Sequence, residues 1–419
     1  MGTADTIMVS FVGEFAVSGV NIIDNINNLL IIAFTALSTG GAVVVSQYIG
    51  SWELKNASQA GRQLFYMSAL VSLFIMVISL SFRHSIIRLF YGNIESDVMN
   101  AAAVYFLITA FSFPCLAIYS ATAALFRAEG NSKVTMLIAL LANIINITGN
   151  WFFIYKCNMG AAGAALSTLL CRLMAAFVLT YMLIHKNKGL ISLVGLFKVK
   201  LVLPTLRKIL RIGVPSGLEG SMFQIGRLLT QRIFTSFGTA ALAANAVTTV
   251  INSISIMPGN AFGIALLTVV GQCTGAGDYE TAKQLTAKLM KIAFLTIFCM
   301  SFFVFIFMEN LLGFFNLSPE AHELARTFTR VHCISMAIGW VFSFALPNAL
   351  RAAGDNRFVM LAAAISMWTV RVSAAYFLVY VLGVGPISVW IAMGGDFLVR
   401  GTCYLVRWRR GKWQNIMVI

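Results

Sequence analysis

The amino-acid sequence predicts an all-α polytopic membrane protein made of two pseudo-symmetric six-helix bundles, twelve helices in all with the first one truncated, and three observations carry that prediction. Of 419 residues, 59% are hydrophobic and 11% charged, with a mean hydropathy of +0.85, whereas soluble domains carry about 25% charge. The apolar residues gather in blocks such as LFYMSALVSLFIMVISLSF from Leu64 and KIAFLTIFCMSFFVFIFM from Lys291, long enough to cross a hydrocarbon layer ~30 Å thick as helix. The chain also matches itself at a shift of 225 residues.

In chain order, spans are expected over residues 15–49, 57–81, 98–126, 133–155 and 160–185, then 212–235, 240–273, 282–308, 324–350, 358–382 and 386–409, with a stub before residue 12. Each is an apolar run bounded by charge or by glycine. None shows the ~10-residue apolar and polar alternation of an outer-membrane barrel strand. Residues 1–190 are read as an N-terminal lobe, 191–211 as a basic linker and 212–419 as a C-terminal lobe.

At the 225-residue shift, VSQYIGSWELKNA from Val45 falls on VGQCTGAGDYETA from Val270, so that Val45, Gln47, Gly50 and Ala57 meet Val270, Gln272, Gly275 and Ala282. The same shift pairs Gly13 with Gly238 and Asn27 with Asn252. A shift shorter by one residue pairs FRAEGNSKVTM from Phe126 with LRAAGDNRFVM from Leu350. A period this long makes each unit a whole bundle rather than a solenoid repeat. Six helices per half make the repeat parallel, about an axis along the membrane normal, with a cavity expected between the halves. Residues 1–12 align with only the end of the seventh helix, so the first helix is expected to be incomplete.

The formal net charge is +15, which in a soluble chain would point to nucleic acid. Its distribution excludes that partner. Sorted by alternate loops, most Lys and Arg fall on one side, among them Lys55, Arg62, Arg127, Lys133, Lys198, Lys200, Arg207, Lys208, Arg211, Arg351, Arg357, Arg409 and Arg410. The positive-inside rule makes that side cytoplasmic, with the linker and the C-terminus on it, in a multi-pass protein of the cell membrane. The 7 cysteines are scattered through apolar segments without a C-x-x-C pair and read as free thiols.

An ionisable side chain at mid-bilayer costs ~2.5 to 3.5 kcal/mol on insertion scales, so it normally faces a cavity and has a task. The candidate cation-coupling acids are Asp5 in the stub, Asp24 and Glu219; Asp396 has Arg400 at i+4 to pair with. Asn21, Asp24, Asn25 and Asn28 recur at i, i+3, i+4, i+7 on one helix face, and the repeat partner carries Asn245, Thr248, Thr249, Asn252 and Ser253. Asn143, Asn146 and Asn150, with Arg371 in the partner span of that helix, complete the candidate substrate-cavity set. The alternative for the amides is interhelical hydrogen bonding. Pro114, Pro258 and Pro347 fall inside predicted spans and are expected to kink them. No Walker A sequence and no H-E-x-x-H occurs, so neither direct ATP use nor zinc-dependent catalysis is expected.

Taken together, the two six-helix repeats, ADTIMVSFVGEFAVSGV with its Asp5-Thr6-Ile7-Met8-Val9 and Gly13, TGGAVVVSQYIG from Thr39, and the twins FRAEGN and LRAAGDN resemble the bacterial MATE (multidrug and toxic compound extrusion) transporters over nearly the whole chain. The resemblance implies an exporter, not an enzyme, that expels small amphipathic or cationic organic compounds in exchange for inward Na⁺ or H⁺, needs no cofactor, sits in lipid as a monomer and binds no nucleic acid. It assigns the family's first-helix carboxylate to Asp5, the one place where Na⁺ would be held, and its seventh-helix acid to Glu219, although some members carry that acid one turn on, where Phe223 stands here. In a low-dielectric cavity a carboxylate can hold a proton or Na⁺ in one state and an organic cation in another. A flippase for a lipid-linked precursor, for which Arg172, Arg227 and Arg371 would suit a pyrophosphate, is the competing reading. A channel or an inactive truncated carrier are the others.

Overall fold

The computed structural model describes residues 8–9, 14–92, 95–185, 189–196, 198 and 200–419, and among them there is no strand. Asp5 lies outside the described residues. The chain forms α1 (Glu14–Gly50), α2 (Leu54–Ser81), a short α3 (Arg83–Tyr91), α4 (Ser96–Phe111), α5 (Phe113–Ala128), α6 (Ser132–Asn150), which runs on as a π-helical turn over Trp151–Lys156, and α7 (Gly160–His185). The second half gives α8 (Leu203–Ser236), α9 (Thr239–Gly275), α10 (Tyr279–Ile306), a short α11 (Met308–Gly313) and α12 (Pro319–Ser335). It closes with α13 (Leu346–Ala352), α14 (Asn356–Ser366), α15 (Ala374–Tyr380) and α16 (Ser388–Arg409). π-helical segments over Met336–Ala345 and Met367–Ser373 join α12 to α13 and α14 to α15.

Nine of these helices or helix runs are long and apolar enough to cross a membrane, and ten if the pair α4 and α5, bent by 45° at Ser112, counts as one span. α8 is not among them, although it has 34 residues. Glu219, Gln224, Arg227, Gln231 and Arg232 dilute its apolar content, so it depends on its neighbours to cover polar groups that lipid cannot solvate. Apolar side chains stand outward on many helices, among them Phe74, Leu140, Ile144, Phe298 and Phe302. In water such a surface would be an aggregation patch; in lipid it is the solvated face.

The repeat is visible in the helices themselves. α1 and α9 both have 37 residues, α2 and α10 both have 28, and each of the later pair starts and ends 225 positions after its counterpart. The contacts divide the chain into two compact units, residues 1–45 with 53–217, and 46–52 with 218–419. The boundary falls inside α8, because the helix starts at Leu203. Arg207, Lys208 and Arg211, read from sequence as part of a linker, are therefore helical; they form the charged first turns of α8.

The short crossover segment 46–52, the end of α1, packs within the second unit. Gln47 Nε2 donates to the carbonyl of Ala352 at 2.7 Å. A Cβ placed on Gly50 would lie 1.9 Å from the carbonyl oxygen of Gln272, and one on Gly275 would lie 2.0 Å from that of Gln47. These two glycines are repeat partners. The duplicated sequence VSQYIG/VGQCTG is thus a backbone-on-backbone crossing that leaves no room for a side chain on either helix.

The first unit packs around Phe34, Tyr105, Phe106 and Phe113, and the Phe113 ring meets those of Phe34 and Phe106 at tilted angles with centroids 6.5 and 6.3 Å away. In the second unit small residues on the crossing faces (Ala244, Ala293, Ala345, Ala349) let helices approach, and Phe328, Trp340, Trp390 and Phe397 fill the space between them.

Candidate functional site

In the first unit, α1 presents the polar stripe with Asn21, Asn25 and Asn28 exposed. Asn25 is partly occupied by its own helix, its Nδ2 donating to the carbonyl of Asn21 at 3.1 Å. Asp24 lies half-buried between them, and its Oδ1 accepts a hydrogen bond from the hydroxyl of Tyr105 on α4 at 3.2 Å. The reason Tyr105 can reach is one turn earlier. Gly19 lets α1 approach α4 so closely that a Cβ there would be 2.9 Å from the backbone nitrogen of Ala102.

The asparagines of α6 separate. Asn146 and Asn150 are buried against α7, where Asn146 Nδ2 donates to Thr168 Oγ1 at 3.1 Å and Ser167 Oγ donates to the Asn146 carbonyl at 2.8 Å. Asn143 is exposed and, with Tyr119 and Arg172, lines a cavity of about 340 Å³. Arg172 reaches from α7 to the break between α4 and α5, its Nη1 donating to Ser112 Oγ at 2.7 Å.

The second unit holds a cavity of about 320 Å³. α8 supplies Phe223, Arg227, Thr230 and Gln231; α9 supplies Asn245, Thr249 and Asn252; His332 comes from α12, Trp340 and Phe344 from the π segment after it, and Trp390, Met393 and Phe397 from α16. Arg371 enters from the π segment between α14 and α15. A π turn spends one more residue per turn than an α turn and so shifts which side chains face a given direction, and such turns recur at functional sites. The candidate substrate-cavity residues Asn245, Thr249, Asn252 and Arg371 thus come together here, with Ser253 and Arg227 beside them.

Glu219 is not in that lining. Both of its carboxylate oxygens lie 2.7 Å from Nη2 of Arg351, whose Nη1 donates to Asn348 Oδ1 at 2.9 Å. Its partner is the arginine of LRAAGDN. Phe223, one turn on, lies with its ring centroid 5.0 Å from the Arg371 guanidinium and 6.0 Å from that of Arg400, and the Phe344 ring is 4.4 Å from Arg400. Asp396 is fully buried on α16. Its Oδ1 accepts from Ser366 Oγ at 2.6 Å, and its Oδ2 stands 3.5 Å from Arg400 Nη2, an ion pair too long and misaligned to be a hydrogen bond. The second-unit cavity therefore has arginine, amide and aromatic surfaces and, among the described residues, no carboxylate in its lining.

His332, Trp340 and Trp390 carry no periodic polar signal. In the sequence each is one more large residue in an apolar helix. The edge-on contact of His332 with Trp390, ring centroids 5.1 Å apart, exists only once α12 and α16 are packed. No group of three or more His, Cys, Asp or Glu among the described residues is placed to hold a metal ion.

Duplicated helical units, spans broken by π turns and polar cavities inside an apolar bundle define the class of the molecule: a repeat-built membrane carrier. The sequence model of the MatE family matches residues 1–152 and 215–377, one stretch in each half, and the chain belongs to that family. It is 30% identical to an uncharacterized transporter, YisQ, of Bacillus subtilis (strain 168) over 99% of this chain and 90% of that one. It is 27% identical to a probable multidrug resistance protein, NorM, of Thermotoga maritima over 100% of this chain and 90% of that one. Its fold superposes on that of a multidrug resistance MATE family transporter of the MOP superfamily with a TM-score of 0.92 at 20% identity, covering 99% of this chain and 92% of the other.

Proposed function

We propose that the protein is a secondary antiporter that exports small amphipathic organic compounds, drugs or metabolites, in exchange for inward H⁺ or Na⁺, working as a monomer in the cell membrane with its basic loops and C-terminus in the cytoplasm. The observation that carries the reading is Asp24, an acid at the centre of a polar stripe on an otherwise apolar span, held by Tyr105. A carboxylate so placed is costly unless it binds a cation during the cycle. Asp24, together with Asp5, takes the coupling ion or the positive end of an organic cation, and the exposed Asn21, Asn25 and Asn28 solvate whichever is bound. Glu219 is assigned a structural part, since Arg351 already neutralises it. The multidrug resistance proteins among the relatives support export of organic compounds.

The energy is sufficient. One charge moving down 100 mV releases ~2.3 kcal/mol, enough for a roughly fiftyfold gradient of exported compound per ion. In everted membrane vesicles, an imposed pH or Na⁺ gradient is expected to drive ethidium accumulation, and Asp24→Asn is expected to abolish it while leaving the amount and thermal stability of the protein unchanged. Accumulation that proceeds equally well in Asp24→Asn removes the basis of the reading.

A further inference from the structure

We infer that the cavity of the second unit is a binding site for aromatic organic anions, amphiphiles with a carboxylate or phosphate head on a flat ring system; the inference rests on the transport reading above and names a substrate class for this site.

The lining has an excess of donors and positive charge over acceptors. Arg371 is 7% exposed, and although Nη2 meets the sulfur of Met393 at 3.2 Å, Nε and Nη1 have no hydrogen-bond partner among the described residues. Among the described residues neither ring nitrogen of His332, 3% exposed, has a hydrogen-bond partner, nor do Nε1 of Trp390 or the side-chain amide of Asn252. Buried polar groups in folded proteins are overwhelmingly satisfied. Four orphaned side chains around one cavity are therefore provision for something that enters it. What they provide is N–H groups: only Asn252 contributes an orphan oxygen, and a neutral imidazole contributes one acceptor nitrogen.

Charge points the same way. Arg227 and Arg371 line the cavity, with Arg400 behind the Phe223 and Phe344 rings. Among the described residues the one acid near enough to act on Arg371 is Asp396, which faces Ser366 and Arg400. An organic cation would enter against this field. An anion would remove the cost of the buried guanidinium and gain the charge-assisted bonds that only a carboxylate or phosphate can make with it. The remaining walls, Trp340, Phe344, Trp390 and Phe223, offer flat apolar faces for a ring.

The test is calorimetric titration of the purified full-length protein in phosphatidylcholine nanodiscs with 2-naphthoate, 2-naphthyl phosphate and the cation 2-naphthylmethylammonium. Without an ion gradient the measurement is independent of coupling, so vesicles that fail to accumulate ethidium leave it intact, and its failure leaves the coupling reading intact. At least one of the two anions is expected to bind tenfold or more tightly than the cation. Loss of one charged donor typically weakens such binding by about ten- to a hundredfold, the change expected for Arg371→Gln. Arg227→Gln, at an exposed position, is expected to weaken the anion severalfold, and it stands as the test if Arg371→Gln does not fold. Adding phosphatidylglycerol to the nanodiscs separates the sources: competition with the naphthyl anions assigns the site to a lipid headgroup, and its absence to a free anion. Equal or tighter binding of the cation, or anion binding unchanged in the folded variants, overturns the inference.

Discussion

Both oxygens of Glu219 converge on a single nitrogen of Arg351, and the two side chains are only 15% and 16% exposed. Such a pair tolerates loss of both charges better than loss of one, because the survivor is left without a counter-ion in a medium that solvates it poorly. Glu219→Gln is thus expected to lower stability by roughly 2 to 4 kcal/mol, somewhat less than for a fully enclosed pair, and Glu219→Gln with Arg351→Gln to recover much of it. Thermal unfolding in detergent measures both. If transport follows stability, returning in the double variant, Glu219 is a strut. If it stays lost, the acid takes part in coupling. The sequence exposes Glu219 as an unusual acid but hides its partner, because the two are 132 positions apart and Arg351 reads as one of many basic loop residues. The same limit applies to the cavity. Asn245, Thr249 and Asn252 were legible as a helical stripe, and Arg371 as a costly intramembrane charge. His332 and Trp390 were not, since an apolar helix supplies a large ring at nearly every turn and only packing decides which rings meet a polar neighbour. Among Asn143, Asn146 and Asn150 the spacing is regular, yet Thr168 and Ser167 on α7 claim Asn146 and leave Asn143 to a different environment.

Helices were the most legible level, because long apolar blocks ending in charge or glycine leave little freedom about where a span lies. The span expected over 160–185 is α7 to the residue, and that expected over 15–49 is α1 extended by one residue at each end. What stayed hidden is where helices change winding. The turns over Trp151–Lys156, Met336–Ala345 and Met367–Ser373 follow no compositional rule. Proline marks only the far side of two irregularities: Pro347 begins α13 after the π segment, and Pro114 begins α5 just after the 45° bend. The glycine motif of the repeat, in contrast, has a single physical meaning. At Gly50 the obstacle to a side chain is the Gln272 backbone rather than a movable rotamer. Gly50→Ala is expected to destabilise the protein by about 1 to 3 kcal/mol. Combining it with Gly275→Ala should cost less than the sum of the two, since one opening of the crossing relieves both clashes. Melting curves of the two single variants and the double one check this; additive losses would place the glycines in independent contacts.

At the scale of the whole molecule the two halves keep the lengths of α1 and α2 in α9 and α10 and have diverged at the positions of their polar stripes. Asp24 corresponds by the 225-residue shift to Thr249, which lines the arginine-bearing cavity, so the acid of one half has become a neutral hydroxyl in the other. A duplicated carrier with a carboxylate in the polar stripe of one unit and arginines in the cavity of the other can handle a cation and an organic anion on separate surfaces without their competing for the same group. For either to be exported, the chain must have a fixed orientation, and its loops set one. Lys and Arg crowd the connections around Lys55, Arg127 and Lys133, and 198–211, whereas the turn at Cys157, between α6 and α7, lies on the opposite side of the bundle by the alternation of spans. On the proposed orientation, with the basic side cytoplasmic, Cys157, which is exposed, would face outward. In a variant whose other six cysteines are serine, a membrane-impermeant maleimide is expected to label Cys157 in intact cells. Moving the thiol by Cys157→Ser with Lys55→Cys, an exposed position at the start of α2, is expected to make labelling depend on permeabilisation. The reverse pattern would invert the direction of transport argued from Asp24, because the coupling ion would then enter from the wrong side.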